Sequence, residues 1–277
     1  MVDKIRTLIR MFKIYGKMDL LWFLRDTKYC LMYIFSDMIS TLAVVVGVFL
    51  LAVKFDGIGG MTEKEIIFML GYSVLVEGVF ALFFISNNAG QISRTIGRGQ
   101  MDHKIIQPVP VWMQLAAEGF SPVSGNGVLL CGIGLIYYSV SSSEINFSGI
   151  WIGMLLINLA ASCTIMICTI YILSCTAFYA PAAAEEIASV GIGMFESLKN
   201  YPLGGMNKSI QIFFCSLIPV GMIAWFPSRI LLGKFDIMIF MVGTAAAFLI
   251  LAILIFKKGM RYYAKYGSPR YSSFGHR

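Results

Sequence analysis

The amino-acid sequence predicts an all-α integral membrane protein with six transmembrane helices, an N-terminal interfacial helix and further helical segments in its inner loops. Of its 277 residues, 58% are hydrophobic and only 13% are charged, whereas a soluble domain carries roughly 25% charged residues. Six apolar segments are also long enough to cross a hydrocarbon core of about 30 Å, which takes about 20 helical residues. These predicted spans cover residues 29–53, 66–86, 123–140, 150–178, 210–226 and 235–256, so that the membrane domain is 29–256 with inner loops at 87–122 and 179–209.

The segment before the first span, residues 1–28, is basic and amphipathic. Ile5, Leu8, Ile9 and Phe12 fall on one helical face, and basic residues surround the other faces. This pattern is typical of an interfacial helix lying along the inner leaflet; a short helix packed on the protein itself is the alternative. The segment is too long and too interrupted by charge for the start of a cleavable signal peptide, so we expect no processing.

The basic residues are distributed unevenly along the chain. With the N-terminus inside, the inner segments hold 18 Lys and Arg residues and the outer ones hold 4. This bias predicts cytoplasmic termini, including a basic tail at 257–277. Because the charges flank spans, they indicate contact with anionic membrane lipids and not with nucleic acid, despite a net charge of +7.

Cysteine and histidine give no sign of a disulfide framework or a metal site. All six cysteines lie in or at the ends of apolar spans, and the two histidines are far apart. We therefore expect no disulfides and no bound metal or cofactor in this chain.

The inner loop 87–122 contains the most distinctive polar stretch, residues 96–110. Gly97 and Gly99 allow tight turns, whereas Pro108 and Pro110 stop a helix and stiffen the exit from the loop. Charged side chains nearby offer charge-assisted contacts. The sequence predicts a docking surface here; an ordinary solvated turn is the alternative. The candidate contact residues are Arg94, Arg98, Gly99, Asp102, His103, Lys104 and Pro108.

The second inner loop, 179–209, contains an amphipathic run. Ile187, Val190, Met194 and Leu198 recur at spacings of three and four residues, which predicts a cytoplasmic or interfacial helix. Such a helix serves either as a second contact surface for a cytoplasmic partner or as packing for the protein's own spans.

Two motifs resemble the six-span permease subunits of ABC-2-type exporters, and the likeness extends over nearly the whole chain. The first motif comprises Ile96, Gly99, Met101, Asp102, Ile106 and Pro108. The second comprises Tyr201-Pro202 before the fifth predicted span, Ile218-Pro219-Val220 inside it, and Phe226-Pro227 with Leu231-Leu232-Gly233 after it. Gln100 and Gln107 depart from the pattern, since an acidic residue and an arginine are common there.

The resemblance implies a membrane-spanning subunit that works as a dimer with two cytoplasmic ABC ATPase subunits in a bacterial plasma membrane. The second permease subunit would be an identical copy or a paralogue. The loop 96–110 would hold the coupling helix, which rests in a groove of the ATPase and transmits nucleotide-driven closure to the spans. Alternating access would then export a substrate, for which the short outer loops favour a small amphipathic or hydrophobic molecule.

The nucleotide site itself is not expected in this chain. A phosphate-binding loop reads G-x-x-x-x-G-K-[ST], and the nearest string, residues 204–209, has Asn207 where the second glycine belongs. ATP and Mg²⁺ are therefore expected on the partner ATPase, and the chain is predicted not to be an enzyme.

Two acidic residues lie inside predicted spans. Asp37 is in the first span and Glu77 is near the middle of the second, where an ionisable side chain costs about 3 kcal/mol or more unless it is paired or faces water. With Asn158 and Pro219, which predicts a kink in the fifth span, they form the candidate translocation pathway.

These acids allow three interpretations. They line a cavity that favours cationic or amphipathic substrates, or they bond to Ser40, Ser73 or Asn158 and stabilise helix packing. In the third, the protein is an ion-coupled secondary carrier in which Asp37 and Glu77 carry protons. A membrane-embedded enzyme is disfavoured because no Ser/His/Asp or paired-His arrangement lies in the spans.

Overall fold

The computed structural model describes residues 2–84, 91–123, 126–142, 148–235 and 237–267. Within these ranges the chain is helical, and the only β pairing there is an isolated bridge between Ile58 and Met61. The first six α-helices are α1 (Val2–Arg25), α2 (Thr27–Lys54), α3 (Glu63–Phe84), α4 (Gln91–Gly97), α5 (Met101–Ile105) and α6 (Val111–Glu118). The next six are α7 (Asn126–Ser141), α8 (Gly149–Ser174), α9 (Pro181–Leu198), α10 (Lys208–Ser216), α11 (Trp225–Leu231) and α12 (Met238–Tyr266). Short 3-10 segments cover Cys175–Phe178 and Pro219–Met222.

Four helices are long and apolar enough to cross a membrane: α2, α3, α8 with its 3-10 extension, and α12. The helix α7 is apolar but shorter, at 16 residues, and α10 with the segment up to Leu231 forms a bent pair. The all-helical prediction is confirmed.

The helix α3 is the centre of the bundle, since 72% of the residues in its most apolar stretch are buried, against 17% in the corresponding stretches of α2 and α12. It packs against α7 through glycines. A Cβ on Gly78 would lie 2.4 Å from Leu129 Cα, and one on Gly132 would lie 2.6 Å from Leu75 Cα. Small residues at such positions let helix backbones approach closely.

The bundle has two ends, which the connecting segments distinguish. The loop end carries α4, α5 and α6; the turn end carries the turn 55–62 between α2 and α3. Asp56, Gly57, Gly59 and Gly60 adopt positive φ in this turn, a conformation that suits glycine. At the turn end Arg229 Nη1 donates to Gly60 O at 3.2 Å.

The helix α9 runs from the loop end towards the turn end, which corrects the prediction that residues 179–209 form an inner loop. Glu185, in its first turns, pairs with Arg94 of α4 at the loop end. After α9 ends, Gly204 packs on Gly59 of the turn, and a Cβ on Gly204 would lie 2.1 Å from Gly59 O. Eighteen residues extend about 27 Å as a helix, so the two ends of this segment lie at opposite ends of the bundle.

The predicted fifth span at 210–226 is a hairpin instead of a crossing helix. The bend between α10 and the segment Pro219–Leu231 is 72°. Pro219 begins the 3-10 segment in the break, where its ring removes a backbone donor. The hairpin leaves and returns at the turn end, because Gly204 precedes it there and Arg229 bonds to Gly60 after it.

Pro227 and Gly233 of the second motif lie within and after α11. Pro227 lies inside α11, within its first turn, where proline is tolerated because the early N–H groups have no helical partner. Gly233, with φ +69°, ends the following turn.

The termini extend the bundle at the loop end. Along α1, Phe12 stacks edge-on against Phe120 with ring centroids 5.1 Å apart, and Asp19 accepts from Val123 N at 2.7 Å. Ile5 and Ile9 of the predicted apolar face remain exposed. The last helix, α12, continues past Phe256 to Tyr266; the rest of the predicted tail, from residue 268, lies outside the described residues.

Candidate functional site

The segment from α4 to α6 folds as three short helices separated by tight turns. Arg98 N donates to Arg94 O at 2.9 Å and Gln100 N donates to Thr95 O at 2.9 Å, which closes the turn after α4. Gly99 has φ +71° at this turn. A side chain there would be strained, because L residues rarely adopt this conformation.

A buried apolar cluster holds this segment against the bundle. Ile92, Ile96 and Met101 are almost fully buried and pack with residues of α6, the 3-10 segment after α8, α9 and α12. The partners in this cluster are Leu115, Cys175, Ala177, Phe178, Ala184 and Tyr263. The short helix α5 is therefore attached to the spans through a packed core.

Polar contacts reinforce that attachment. The Tyr263 hydroxyl donates to Asp102 Oδ1 at 2.8 Å, which joins α5 to α12. Gln114 Nε2 donates to Lys104 O at 2.9 Å and to Val109 O at 2.7 Å, so that α6 holds the loop on both sides of Pro108. Lys104 also pairs with Glu118. These bonds fix the backbone between α5 and α6.

The other side of the segment is exposed. Arg98 and His103 point to the outside, and Ile106 is 80% exposed although it is apolar. We call the exposed residues Arg98, Gln100, His103, Ile105, Ile106, Gln107 and Pro108 the tip. A rigid, partly apolar tip of this kind is suited to contact with another protein.

The predicted contact residues thus divide into two groups. Arg98, His103 and Pro108 belong to the tip, whereas Asp102 and Lys104 make contacts within the chain. Arg94 also points inward: its Nε and Nη2 atoms lie 2.8 Å and 2.5 Å from Glu185 Oε1. Both donors converge on one carboxylate oxygen, in a charge-assisted contact that connects α4 to the start of α9.

The helix α1 adds a further contact at the loop end. Burial raises the pKa of Tyr15, and the carboxylate of Glu118 raises that pKa further because it disfavours a nearby phenolate. Glu118, the last residue of α6, thus pairs with Lys104 of α5 and interacts electrostatically with Tyr15 of α1.

A second group of polar residues lies inside the bundle. Lys199 Nζ is 2.7 Å from Glu77 Oε2, and the Lys199 side chain is only 1% exposed, against 34% for Glu77. One turn away along α3, Ser73 donates to Asn200 Oδ1 at 2.7 Å. The end of α9 is therefore bonded to α3, and Glu77 has a charged partner that the assignment of 179–209 to an inner loop did not anticipate.

Asp37 belongs to the same region. It is half-buried on α2 and lies close enough to Glu77 to interact electrostatically, and Glu196 of α9 interacts with Lys199 and with Glu77. Glu77 and Glu196 thus both interact with Lys199, and Asp37 interacts with Glu77. Among the described residues, no hydrogen bond or ion pair involves the Asp37 side chain, and neither acid bonds to Ser40, Ser73 or Asn158.

Asn158 and Pro219 are elsewhere. Asn158 is fully buried and its Nδ2 donates to Met154 O at 2.9 Å within α8. Pro219 is buried in the break of the hairpin, where Ser162 Oγ lies 3.4 Å from Met222 O. The structure brings together Asp37 and Glu77 of the predicted pathway, whereas Asn158 and Pro219 lie in the packed interior.

One feature of the sequence could have placed Lys199 inside the bundle: the helical segment before it is long enough to be a span. Residues 181–198 match a span in length, but Glu185, Glu186 and Glu196 reduce its mean hydropathy below that of an ordinary span. The close approach of Gly204 to Gly59 likewise accounts for the glycines of 204–209 by backbone packing.

The fold and these polar contacts define a multi-pass helical membrane protein with an anchored polar segment at one end. The sequence profile of the ABC-2 family transporter proteins matches residues 38–267. The chain belongs to this family and is a membrane permease of an ABC-type transporter. Comparisons with curated proteins and with solved structures gave no match.

Proposed function

We propose that the protein is the membrane-spanning subunit of an ATP-driven exporter in a bacterial plasma membrane. The observation that carries this proposal is the tip: it is exposed, yet its backbone is anchored to α12 and α6 through Tyr263 and Gln114. A separate ABC ATPase that presses on the tip would move α12 and the end of α8, because the same buried cluster joins them.

The topology that fits this function has six crossing segments, namely α2, α3, α7, α8, α9 and α12. The loop end faces the cytoplasm, with both termini, and the hairpin of α10 and α11 enters from outside. The bias of basic residues supports this orientation: Lys208 moves to the outer side with the turn end, but most basic residues remain at the loop end. Exposed Ile5 and Ile9 of α1 support contact with the inner leaflet.

A second permease subunit completes the transporter in this proposal. The helix α2 carries Asp37 and is mostly exposed, with Glu77 and Glu196 on neighbouring helices. Charged groups inside a membrane face protein or water. The acids therefore support either a second permease subunit or a polar pathway against the exposed side of α2. The acids favour a cationic or amphipathic substrate.

The tip is tested by a single substitution with a matched control. Ile106→Gln removes the most exposed apolar side chain of the tip, whereas Ile150→Gln makes the same change at the turn end, where Ile150 is 79% exposed. We expect the first variant to lose most of the co-purifying Walker-motif ATPase when the tagged protein is isolated from its native host. The second should keep it. If the wild-type protein purifies alone and still transports without ATP, the proposal is wrong.

The acids are tested separately. Asp37→Asn should reduce export of a cationic dye if the acids line the pathway, and should leave ATPase co-purification intact. Glu77→Asn should have the same effect on export, but it also breaks the pair with Lys199, so its export is compared at matched amounts of folded protein. Unchanged export at normal expression would exclude the cavity role. Export that follows an imposed proton gradient and ignores ATP would instead support the ion-coupled carrier that the two acids also allow.

A further inference from the structure

A lateral cavity opens at the loop end between α6, α8 and α12, away from the acids and from the tip. Its volume is about 550 Å³, within the range of about 300–1,000 Å³ that ligand sites occupy. Its walls include Leu115, Ala116, Ile253 and Phe256, with Trp112 and Lys257 also lining it. Ile253 and Trp112 are themselves exposed, so the cavity communicates with the surroundings of the bundle.

The cavity has an apolar wall and a basic end. Along α12 its lining extends from Leu249 to Lys257, which is about 12 Å of helix and close to the thickness of one hydrocarbon leaflet. Lys257 is exposed, and no described side chain forms an ion pair with it. Trp112 suits the depth of the headgroups, where indole rings are enriched.

From this geometry we infer that the cavity binds one acyl chain of an anionic phospholipid of the loop-end leaflet, with the headgroup phosphate on Lys257. An acyl chain gains little from leaving bulk lipid for an apolar cavity, because both environments are equally apolar. Selectivity must therefore come from charge. A basic residue at the surface contributes about 1 kcal/mol towards an anionic lipid, which corresponds to roughly a fivefold preference.

The charge around Lys257 makes the choice of an anionic lipid specific. Lys258, Arg261 and Lys265 are exposed on the same end of α12, and that helix contains no acidic residue. Glu118 of α6 interacts electrostatically with Tyr171 of the lining, but it is paired with Lys104, so the charge around Lys257 is positive. This charge disfavours a cationic amphipath, whereas the region of Asp37 and Glu77 would attract it. The inference is independent of the proposed export function.

The test uses the fluorescence of Trp112 in vesicles that contain no ATPase and no nucleotide. Phosphatidylcholine vesicles receive graded amounts of brominated phosphatidylglycerol or brominated phosphatidylcholine, with bromine near the carbonyl end of one chain. The contribution of Trp112 is the difference between the wild-type protein and Trp112→Phe. We expect phosphatidylglycerol to half-saturate the quenching at about a fivefold lower mole fraction than phosphatidylcholine.

Two charge variants distinguish a site from a diffuse basic surface. Lys257→Gln should abolish most of that preference, whereas Lys258→Gln, an adjacent exposed lysine that does not line the cavity, should retain it. Ala116→Phe should reduce quenching by both lipids because it fills the cavity. Equal quenching by the two lipids in the wild type, or equal effects of the two lysine variants, would overturn the inference. Displacement of the lipid by a cationic dye would overturn it too, since the cavity would then belong to the transport pathway.

Discussion

At the scale of single residues, the pair formed by Glu77 and Lys199 shows how a charge is accommodated inside the bundle. The two partners are unequally buried: the lysine side chain is 1% exposed and the glutamate 34%. A buried pair contributes little net stability, but removal of one partner leaves the other charge uncompensated. The cost of breaking the pair therefore depends on which charge remains.

This asymmetry makes the first prediction. Glu77→Gln removes the hydrogen-bonded partner of the fully buried lysine and leaves it only the longer-range interaction with Glu196, so it should lower the free energy of unfolding by about 3–5 kcal/mol. Lys199→Met leaves the half-exposed glutamate and should cost less, and the double variant should regain most of the loss. Thermal unfolding in detergent measures all three. Asp26→Asn, which breaks the exposed pair with Arg25, is the control and should change stability by less than about 1 kcal/mol. Equal losses in the two single variants would contradict this account.

A glycine contact carries the second prediction at this scale. Gly204→Ala places a methyl group about where Gly59 O lies, since a Cβ at this position would be 2.1 Å from that oxygen. The turn or the start of the hairpin must shift, at a cost of about 1–3 kcal/mol. Gly243→Ala is the control, because nothing lies within 4 Å of its Cβ on α12. Thermal unfolding should separate the two variants, and a Gly204→Ala protein as stable as the wild type would exclude the close approach.

At the scale of elements, α5 depends on its neighbours. With five residues it is far shorter than the 12–15 residues or so that an isolated helix needs in water. Met101 in the buried cluster and the hydrogen bond from Tyr263 to Asp102 supply the missing stabilisation. In the proposed function, a force on the tip would reach α12 through that bond and the packing around it.

The third prediction concerns this connection. Tyr263→Phe removes the donor to Asp102 and should cost about 1.5–3 kcal/mol of stability, because one partner of the bond is charged. In the transporter assembled with its proposed ATPase, we expect more ATP hydrolysed for each substrate exported. Tyr266→Phe is the control, since Tyr266 is exposed at the end of α12. Unchanged coupling in Tyr263→Phe would show that α5 and α12 transmit force by another route.

At the scale of the whole molecule, the path of the chain after α8 decides which loops share an end. The helix α9 crosses from Arg94 to the level of Ser73 and Glu77, and residues 201–204 continue to the turn. The hairpin of α10 and α11 then returns to the same end, so that α12 begins there. Replacing the predicted span at 210–226 by α9 keeps the number of crossing segments at six, so both termini stay at the loop end.

The fourth prediction tests that topology. Lys208→Cys and Lys258→Cys introduce thiols at positions that the inner-loop assignment places on one side and the structure places at opposite ends. The six natural cysteines are buried, so the background should be low. A membrane-impermeant maleimide added to intact cells should label the first variant, and should label the second only after permeabilisation. If both variants are labelled in intact cells, or both only after permeabilisation, the two positions lie on the same side and α9 does not cross the membrane.

The amino-acid sequence was sufficient to predict the class of the protein, most of its apolar helices and the position of its polar loop. Composition and the length of apolar runs are sufficient for spans because the bilayer imposes both. The turn at Gly99 and the ends of α2, α3 and α8 followed from local chemistry. These features depend on neighbours along the chain, and a sequence records them directly.

Packing in three dimensions was needed to establish which apolar segment crosses and which returns. By hydropathy 210–226 ranks above 181–198, because three glutamates lie in the latter. The packing shows that α9 crosses the bundle although its hydropathy is lower. Arg94 pairs with Glu185 at the loop end, and Lys199 pairs with Glu77 inside the bundle. Other helices therefore compensate the charge of Glu185 in α9 and that of Lys199, which follows the end of α9. Such compensation joins residues about ninety to one hundred and twenty positions apart. No local pattern contains it, because the energy of a charge in a membrane depends on its partner in space.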